Sequence, residues 1–146
     1  MSRPLRLLMV EDSEDDARLL LRELDRGGYR VSFERVQTGH AMRSALQNGP
    51  WDMIISDCGM PQFNAMTALS IARTESSDIP FIVLSGTLDE DDAVEVLRAG
   101  ANDFLTKQRM TRLLPAVERE LREKALRDEG KESQQRVKVT EERFRT

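Results

Sequence analysis

The sequence predicts an α/β fold: a parallel sheet of five strands with helices on both faces. Three observations carry this expectation. Short, nearly continuous apolar runs at 5–10, 53–57 and 79–84 read as strands buried on both faces. Segments with apolar residues at helical spacing separate them. Strand and helix signals alternate five times along the chain. Right-handed crossovers then leave few topologies, of which the flavodoxin-like doubly wound sheet, strand order 2-1-3-4-5, is the commonest at this length.

The first strand, 5–10, stops at Glu11-Asp12. Ser13, with Asp16 three residues on, makes a capping-box-like helix start. Ala17, Leu20, Leu21 and Leu24 follow at helical spacing, and Gly27-Gly28 end the element. Val31-Ser32-Phe33 alternates, as a strand nearer a sheet edge does. Thr38 caps a short helix carrying Ala41, Met42, Ala45 and Leu46, stopped by Asn48-Gly49-Pro50. The third strand, 53–57, ends abruptly on Asp57, where Gly59 and Pro61 break it; a helix with Met66, Leu69 and Ala72 inward follows. The fourth strand, 79–84, ends at Ser85-Gly86-Thr87. Residues 89–92 open the next helix acid-first, as the macrodipole prefers, with Ala93, Val94 and Leu97 as its stripe before Gly100. A fifth strand, 101–105, runs into Thr106-Lys107, and Met110, Leu113, Leu114, Val117 and Leu121 mark a final helix.

The 146 residues divide into one domain, 1–122, and an extension, 123–146, in which charged and polar residues dominate. Gly130 interrupts what is otherwise one long helix there, at about 1 kcal/mol relative to Ala. The extension reads equally as a solvated, partly frayed tail or as a helical linker pairing with a second copy, since Met110, Leu114, Val117 and Leu121 follow 4-3-4 spacing. A charged content of 33% and a net charge of -4 give no overall field for nucleic acid, so no direct nucleic-acid binding is expected of this segment. Cys58 is the only cysteine, so no internal disulfide can form, which fits a reducing compartment. No apolar run reaches membrane-spanning length and Met1-Ser2-Arg3-Pro4 lacks a signal peptide's apolar stretch, so a cytoplasmic location and no membrane partner are expected.

Four strands end in chemically pointed residues: Glu11 and Asp12, Asp57, Ser85 and Lys107. In a parallel sheet these ends share one edge, where open α/β sheets bind ligands. Three carboxylates there repel one another unless a cation sits among them, and oxygen ligands with room for water suit Mg²⁺. A carboxylate attacking phosphorus needs its incoming oxygens positioned and their charge neutralised. Mg²⁺, the compact cation of Lys107 and the hydroxyl of Ser85 can each serve one oxygen. Each residue alone has a plain structural role, as helix-start acid, turn residue or solvated lysine; their joint placement at successive strand ends points to phosphoryl chemistry on Asp57.

Val10-Glu11-Asp12, Asp57-Cys58-Gly59-Met60-Pro61, Leu84-Ser85-Gly86 and Phe104-Leu105-Thr106-Lys107 together resemble the receiver domain of two-component response regulators, over about residues 5–121. The resemblance implies that Asp57 takes phosphate from a phosphohistidine on a sensor histidine kinase or phosphotransfer protein. It implies that Glu11, Asp12, Asp57 and the backbone carbonyl of Gly59 hold Mg²⁺, that Ser85 swings toward the phosphoryl group and that Lys107 pairs with it. Phe104 matches the family's aromatic switch, and output would pass through the fourth helix, fifth strand and fifth helix. Such a domain is a switch with self-catalysed phosphorylation and dephosphorylation rather than a metabolic enzyme.

Three positions depart from the family pattern. Gln108 follows Lys107 where the family usually has a cis-proline; a non-proline cis bond costs about 2.5–4 kcal/mol, so a trans loop of different shape is expected. Ala65 stands where glycine is common, with Asn64 available for any left-handed residue the turn needs. Ser85 replaces the commoner threonine and loses its methyl group.

Other residues read plainly: His40 as a surface residue, Cys58 as a small side chain filling its loop rather than a redox sensor, and Trp51 as packing at its strand's start. Downstream signalling is expected in trans or in cis, because Glu141-Glu142-Arg143-Phe144-Arg145 resembles the entry to a PAS domain of a larger protein. A homodimer through the last helix is a further expectation. The alternatives are a phosphorylation-independent interaction and dimerisation module and a haloacid-dehalogenase-type hydrolase. The second fits poorly, since Asp57 follows the third strand and no second Asp stands two residues on. A flavin- or nucleotide-binding domain would need a glycine-rich phosphate loop that the chain lacks.

Overall fold

In the chain's computed structural model, residues 3–60, 63–75, 78–87 and 89–144 are described, with side chains as far as residue 130. Strand β1 (Arg3–Val10) leads to helix α1 (Glu14–Arg26), β2 (Tyr29–Val36), α2 (Gly39–Gln47), β3 (Met53–Asp57), α3 (Ala65–Glu75), β4 (Phe81–Ser85), α4 (Glu90–Arg98), β5 (Asp103–Thr106) and α5 (Leu113–Phe144). The strands pair in parallel in the order β2-β1-β3-β4-β5. This is the predicted doubly wound sheet.

The continuous apolar runs divide by alternation, because successive strand side chains face opposite sides. Leu8, Val10, Ile54, Phe81 and Val83 meet Met42, Ala45, Phe63, Leu69, Ala72 and Val96 from α2, α3 and α4 and the adjoining loop. Leu7, Met9, Met53, Ile55, Ile82 and Leu84 meet Leu20 and Leu24 of α1 and Leu113, Ala116 and Val117 of α5. Each buried Leu, Ile or Phe contributes roughly 1.5–3 kcal/mol by leaving water, so the three central strands anchor both layers.

The predicted caps form: Ser13 Oγ accepts from the Asp16 amide at 3.2 Å and Thr38 Oγ1 from the Ala41 amide at 3.1 Å. Gly28, at φ 87°, supplies the left-handed turn after α1. No non-glycine residue among those described has positive φ, so Asn64 is not left-handed. Its Oδ1 instead accepts from the Thr67 amide at 2.9 Å and starts α3.

Other expectations shift. β2 spans eight residues rather than three, and β5 begins at Asp103 rather than at 101. In α4 the buried residue is Val96, while Val94 and Leu97 are 47% and 44% exposed, so the predicted stripe largely faces outward. The last helix starts at Leu113; Lys107–Arg112, with Met110, forms a 3₁₀ segment broken at Arg109 (φ -124°, ψ 61°). Pro115 falls in the first turn of α5, where a missing N–H breaks no helical bond. α5 passes through Gly130 without interruption. Met110, Leu114, Val117 and Leu121 pack on the domain's own core, so their 4-3-4 spacing is not a free seam for a second copy. Pro61 and the final Arg145-Thr146 lie outside the described residues, as do the side chains of Val137, Val139 and Phe144.

Candidate functional site

At the carboxyl edge of the sheet, β1 ends at Glu11-Asp12, β3 at Asp57, β4 at Ser85 and β5 just before Lys107. The topology thus gathers side chains 96 residues apart, as between Lys107 and Glu11. Lys107 Nζ lies 2.7 Å from Asp16 Oδ2, 3.1 Å from Glu11 Oε2 and 3.3 Å from Asp57 Oδ1. The ammonium donates hydrogen bonds to Asp16 and Glu11, with Asp57 as a third, ion-paired neighbour.

Glu11 is buried, and both its oxygens are engaged, Oε2 by Lys107 and Oε1 by the Ser13 amide at 3.1 Å. Burial raises its pKa above the usual carboxylate value, outweighing the Lys107 and Ser13 hydrogen bonds that lower it. Lys107 is pushed the other way from what burial alone would do: its hydrogen bonds to Asp16 and Glu11 and the charges of Glu11 and Asp57 raise its pKa well above that of a free lysine. Its cation is therefore fixed.

Asp12 is exposed, and its carboxylate has no protein partner among the described residues. One oxygen each from Glu11, Asp12 and Asp57 lie within 4.8 Å of one another. Gly59 sits beside the acceptor, with its amide donating to Asp57 Oδ1 at 3.3 Å. Ser85 is buried, and its Oγ accepts from the Thr87 amide at 3.3 Å, within its own turn. Phe104 is half-buried against the α2–α3–α4 side of the core. The Lys107–Gln108 bond is trans, as expected without proline. A cleft lined by Glu11, Asp16, Leu19, Asp57, Lys107 and Met110 opens beside these groups.

Asp16 is the member that sequence reasoning missed. As a helix-start acid it had a sufficient local explanation, and its amide does meet Ser13; its carboxylate, however, turns across the cleft to Lys107. Cys58 is half-buried, and burial followed by the charges of Asp92, Asp57 and Asp89 raises its thiol pKa, which suits a filler rather than a reactive thiolate. His40 is exposed on α2, as expected.

Comparison with known proteins finds relatives of this chain and of its fold. The family model described as "Response regulator receiver domain" matches residues 7–118. The transcriptional regulatory protein PrrA of Mycobacterium tuberculosis is 37% identical over 102 residues, 70% of this chain but 43% of PrrA. The chain thus spans about half the length or less of the curated relatives it matches. Among solved structures, the receiver domain of a signal transduction histidine kinase from Syntrophus aciditrophicus is 32% identical, with a TM-score of 0.67 over 80% of this chain and 89% of that one. A receiver domain of a sensor histidine kinase from Pseudomonas aeruginosa, with a magnesium ion coordinated in its active-site cleft, is 26% identical, with a TM-score of 0.67 over 81% and 98%.

Proposed function

Because this chain belongs to the response regulator receiver domain family, we propose that it is a phosphorylation-dependent switch whose acceptor is Asp57. The single observation that carries the assignment is the placing of Lys107 Nζ 3.3 Å from Asp57 Oδ1, inside the cluster of Glu11, Asp12 and Asp57. An Asp57 oxygen attacks the phosphorus of a phosphohistidine on a histidine kinase or phosphotransfer protein; the P–O bond forms as the P–N bond breaks and the imidazole leaves. Lys107, ion-paired with Asp57 before transfer, then donates to a phosphoryl oxygen. Ser85 gives up the Thr87 amide to reach another.

The donor set fits Mg²⁺, a hard cation satisfied by carboxylates, a carbonyl and water. Asp12, Asp57 and the Gly59 carbonyl are the ligands we assign, with Glu11, already engaged by Lys107 and Ser13, acting through water. When bound, the ion would neutralise phosphoryl charge during transfer. In the Pseudomonas receiver the cleft does hold magnesium, which supports the same assignment here.

Output is assigned to the α4–β5–α5 face. Val94 and Leu97 of α4 expose apolar surface, and Phe104 of β5 is half-buried, with a ring that can move when Ser85 does. Through the helical extension the domain would connect to a downstream signalling domain, in cis (PAS-linked) or in trans. Since the relatives include transcriptional regulators, DNA binding would belong to such a domain. No helix among the described residues is long and apolar enough to cross a membrane. A homodimer would have to form along α5 beyond Leu121, where Leu126 is 60% exposed; light scattering showing a monomer in both phosphorylation states would dispose of it.

The function itself is tested by intact mass after incubation with acetyl phosphate and Mg²⁺. Gain of one phosphoryl group by wild type, dependent on Mg²⁺ and lost in Asp57→Ala, is the expected result. Absence of labelling under conditions that label a control receiver would overturn the reading.

A further inference from the structure

Lys107 has its shortest contact with neither the acceptor nor the metal cluster. It lies 2.7 Å from Asp16, on the first turn of α1, against 3.3 Å from Asp57. It donates hydrogen bonds to Asp16 and Glu11 and is only ion-paired with Asp57, so a phosphoryl oxygen arriving at Asp57 must take the ammonium from charged competitors. Both side chains of the Asp16–Lys107 pair are partly shielded, at 36% and 20% exposure, so water screens the pair only in part.

We infer that Asp16 is a positioning residue for the phosphoryl-transfer site: it holds Lys107 toward α1 and so restrains phosphorylation of Asp57. The placement has a geometric cause. Asp16 lies five residues after Glu11, in the first turn of a helix whose start is fixed by Ser13, and from there its carboxylate reaches Lys107. Glu11 holds the ammonium from the end of β1, whereas Asp16 holds it from α1, a separate element. The same contact ties α1 to the acceptor site, so the ammonium's departure would loosen the first turn of α1 when Asp57 is modified.

This inference rests on the assignment of Asp57 as acceptor, and its tests separate the two. The first uses the full chain, unphosphorylated, and reads the ¹H–¹⁵N correlation of the Lys107 ammonium. Asp16→Asn should shift and weaken that signal through faster exchange with water; an unchanged signal overturns the restraint whatever the acceptor proves to be. The second compares acetyl phosphate labelling of wild type, Asp16→Asn, Lys107→Met and the double variant. Asp16→Asn should label about fivefold faster than wild type, the order expected from losing one charge-assisted hydrogen bond at a half-shielded site. It should have no further effect in the Lys107→Met background. An unchanged or slower rate, or the same acceleration without Lys107, overturns it; the last would mean that Asp16 acts by charge repulsion on the donor alone. Asp16→Glu, which keeps the charge within reach of Lys107, should restore the wild-type rate, and its failure to do so counts against positioning. Unlabelled wild type would instead count against Asp57 as acceptor.

Discussion

The two edges of the sheet are built on opposite terms. At the carboxyl edge, Glu11, Asp16 and Asp57 converge on one cation, Lys107, and Asp12 is left facing solvent. At the amino edge the side chains of Arg73, Asn102, Trp51 and Asp52 each have a partner. The Arg73 guanidinium donates to the carbonyls of Ile79 (2.7 Å) and Gly100 (2.9 Å) and to Asn102 Oδ1 (3.0 Å), which also accepts from the Phe81 amide at 2.8 Å. Trp51 Nε1 donates to the Ala45 carbonyl at 2.8 Å, and Asp52 accepts from the Arg6 amide at 2.8 Å. One edge holds unbalanced charge ready for an incoming group, and the other fixes the helices that frame it. Function and stability are therefore separable by substitution.

The largest expected effect is on the first edge. Asp57→Ala should abolish labelling while shifting the melting temperature by no more than about 4 °C, since it relieves a crowd of like charges as it removes one partner of Lys107. A large loss of stability in this variant, seen in a thermal melt, would break the comparison. Arg73→Ala should do the reverse. It strands the Ile79 and Gly100 carbonyls and half of Asn102, and should cost about 3 kcal/mol in urea unfolding with the labelling rate per folded molecule unchanged. Trp51→Phe keeps most of the ring but leaves the Ala45 carbonyl with the Asn48 amide as its one donor; about 1 kcal/mol should be lost, again without effect on labelling.

How legible each edge was in the sequence differs for a physical reason. The carboxyl edge announces itself, because strand ends carrying acid, hydroxyl and lysine follow directly from where apolar runs stop. Lys107 is also the only lysine in residues 1–123 of a chain otherwise supplied with arginine, a choice that suits a compact cation on phosphate. Asp16 escaped because its capping position already explained it, and nothing local reveals which way a carboxylate turns. The amino edge was invisible: Arg73 and Asn102 meet from elements 29 residues apart, and neither belongs to a pattern with a period. The stripe of α4 was misplaced because nine residues make about two and a half turns, too few for the spacing to choose between Val94 and Val96. Tertiary contact with β5 decides it.

Glu120 is the exception that sharpens the comparison. It lies in α5 close to Asn102, yet it is buried with Oε2 lacking a partner among the described residues. Burial, then the charge of Glu123, raises its pKa above the ordinary carboxylate value, against Arg119, the Asn102 amide and Arg127, which lower it. For an acid whose folded pKa is raised, the folded state binds the proton more readily than the unfolded state. Stability is then lost as pH rises from the unfolded value of 4.5 through the folded one. Glu120→Gln removes that dependence, because the amide carries no charge to desolvate. The variant should match wild type in stability near pH 4.5 and gain on it as pH rises to 7, by about 1 kcal/mol at most. Thermal melts of both proteins across that range decide the point: a gap that stays constant or closes with rising pH would mean that the buried carboxylate is satisfied in solution, and that the amino edge has no exception.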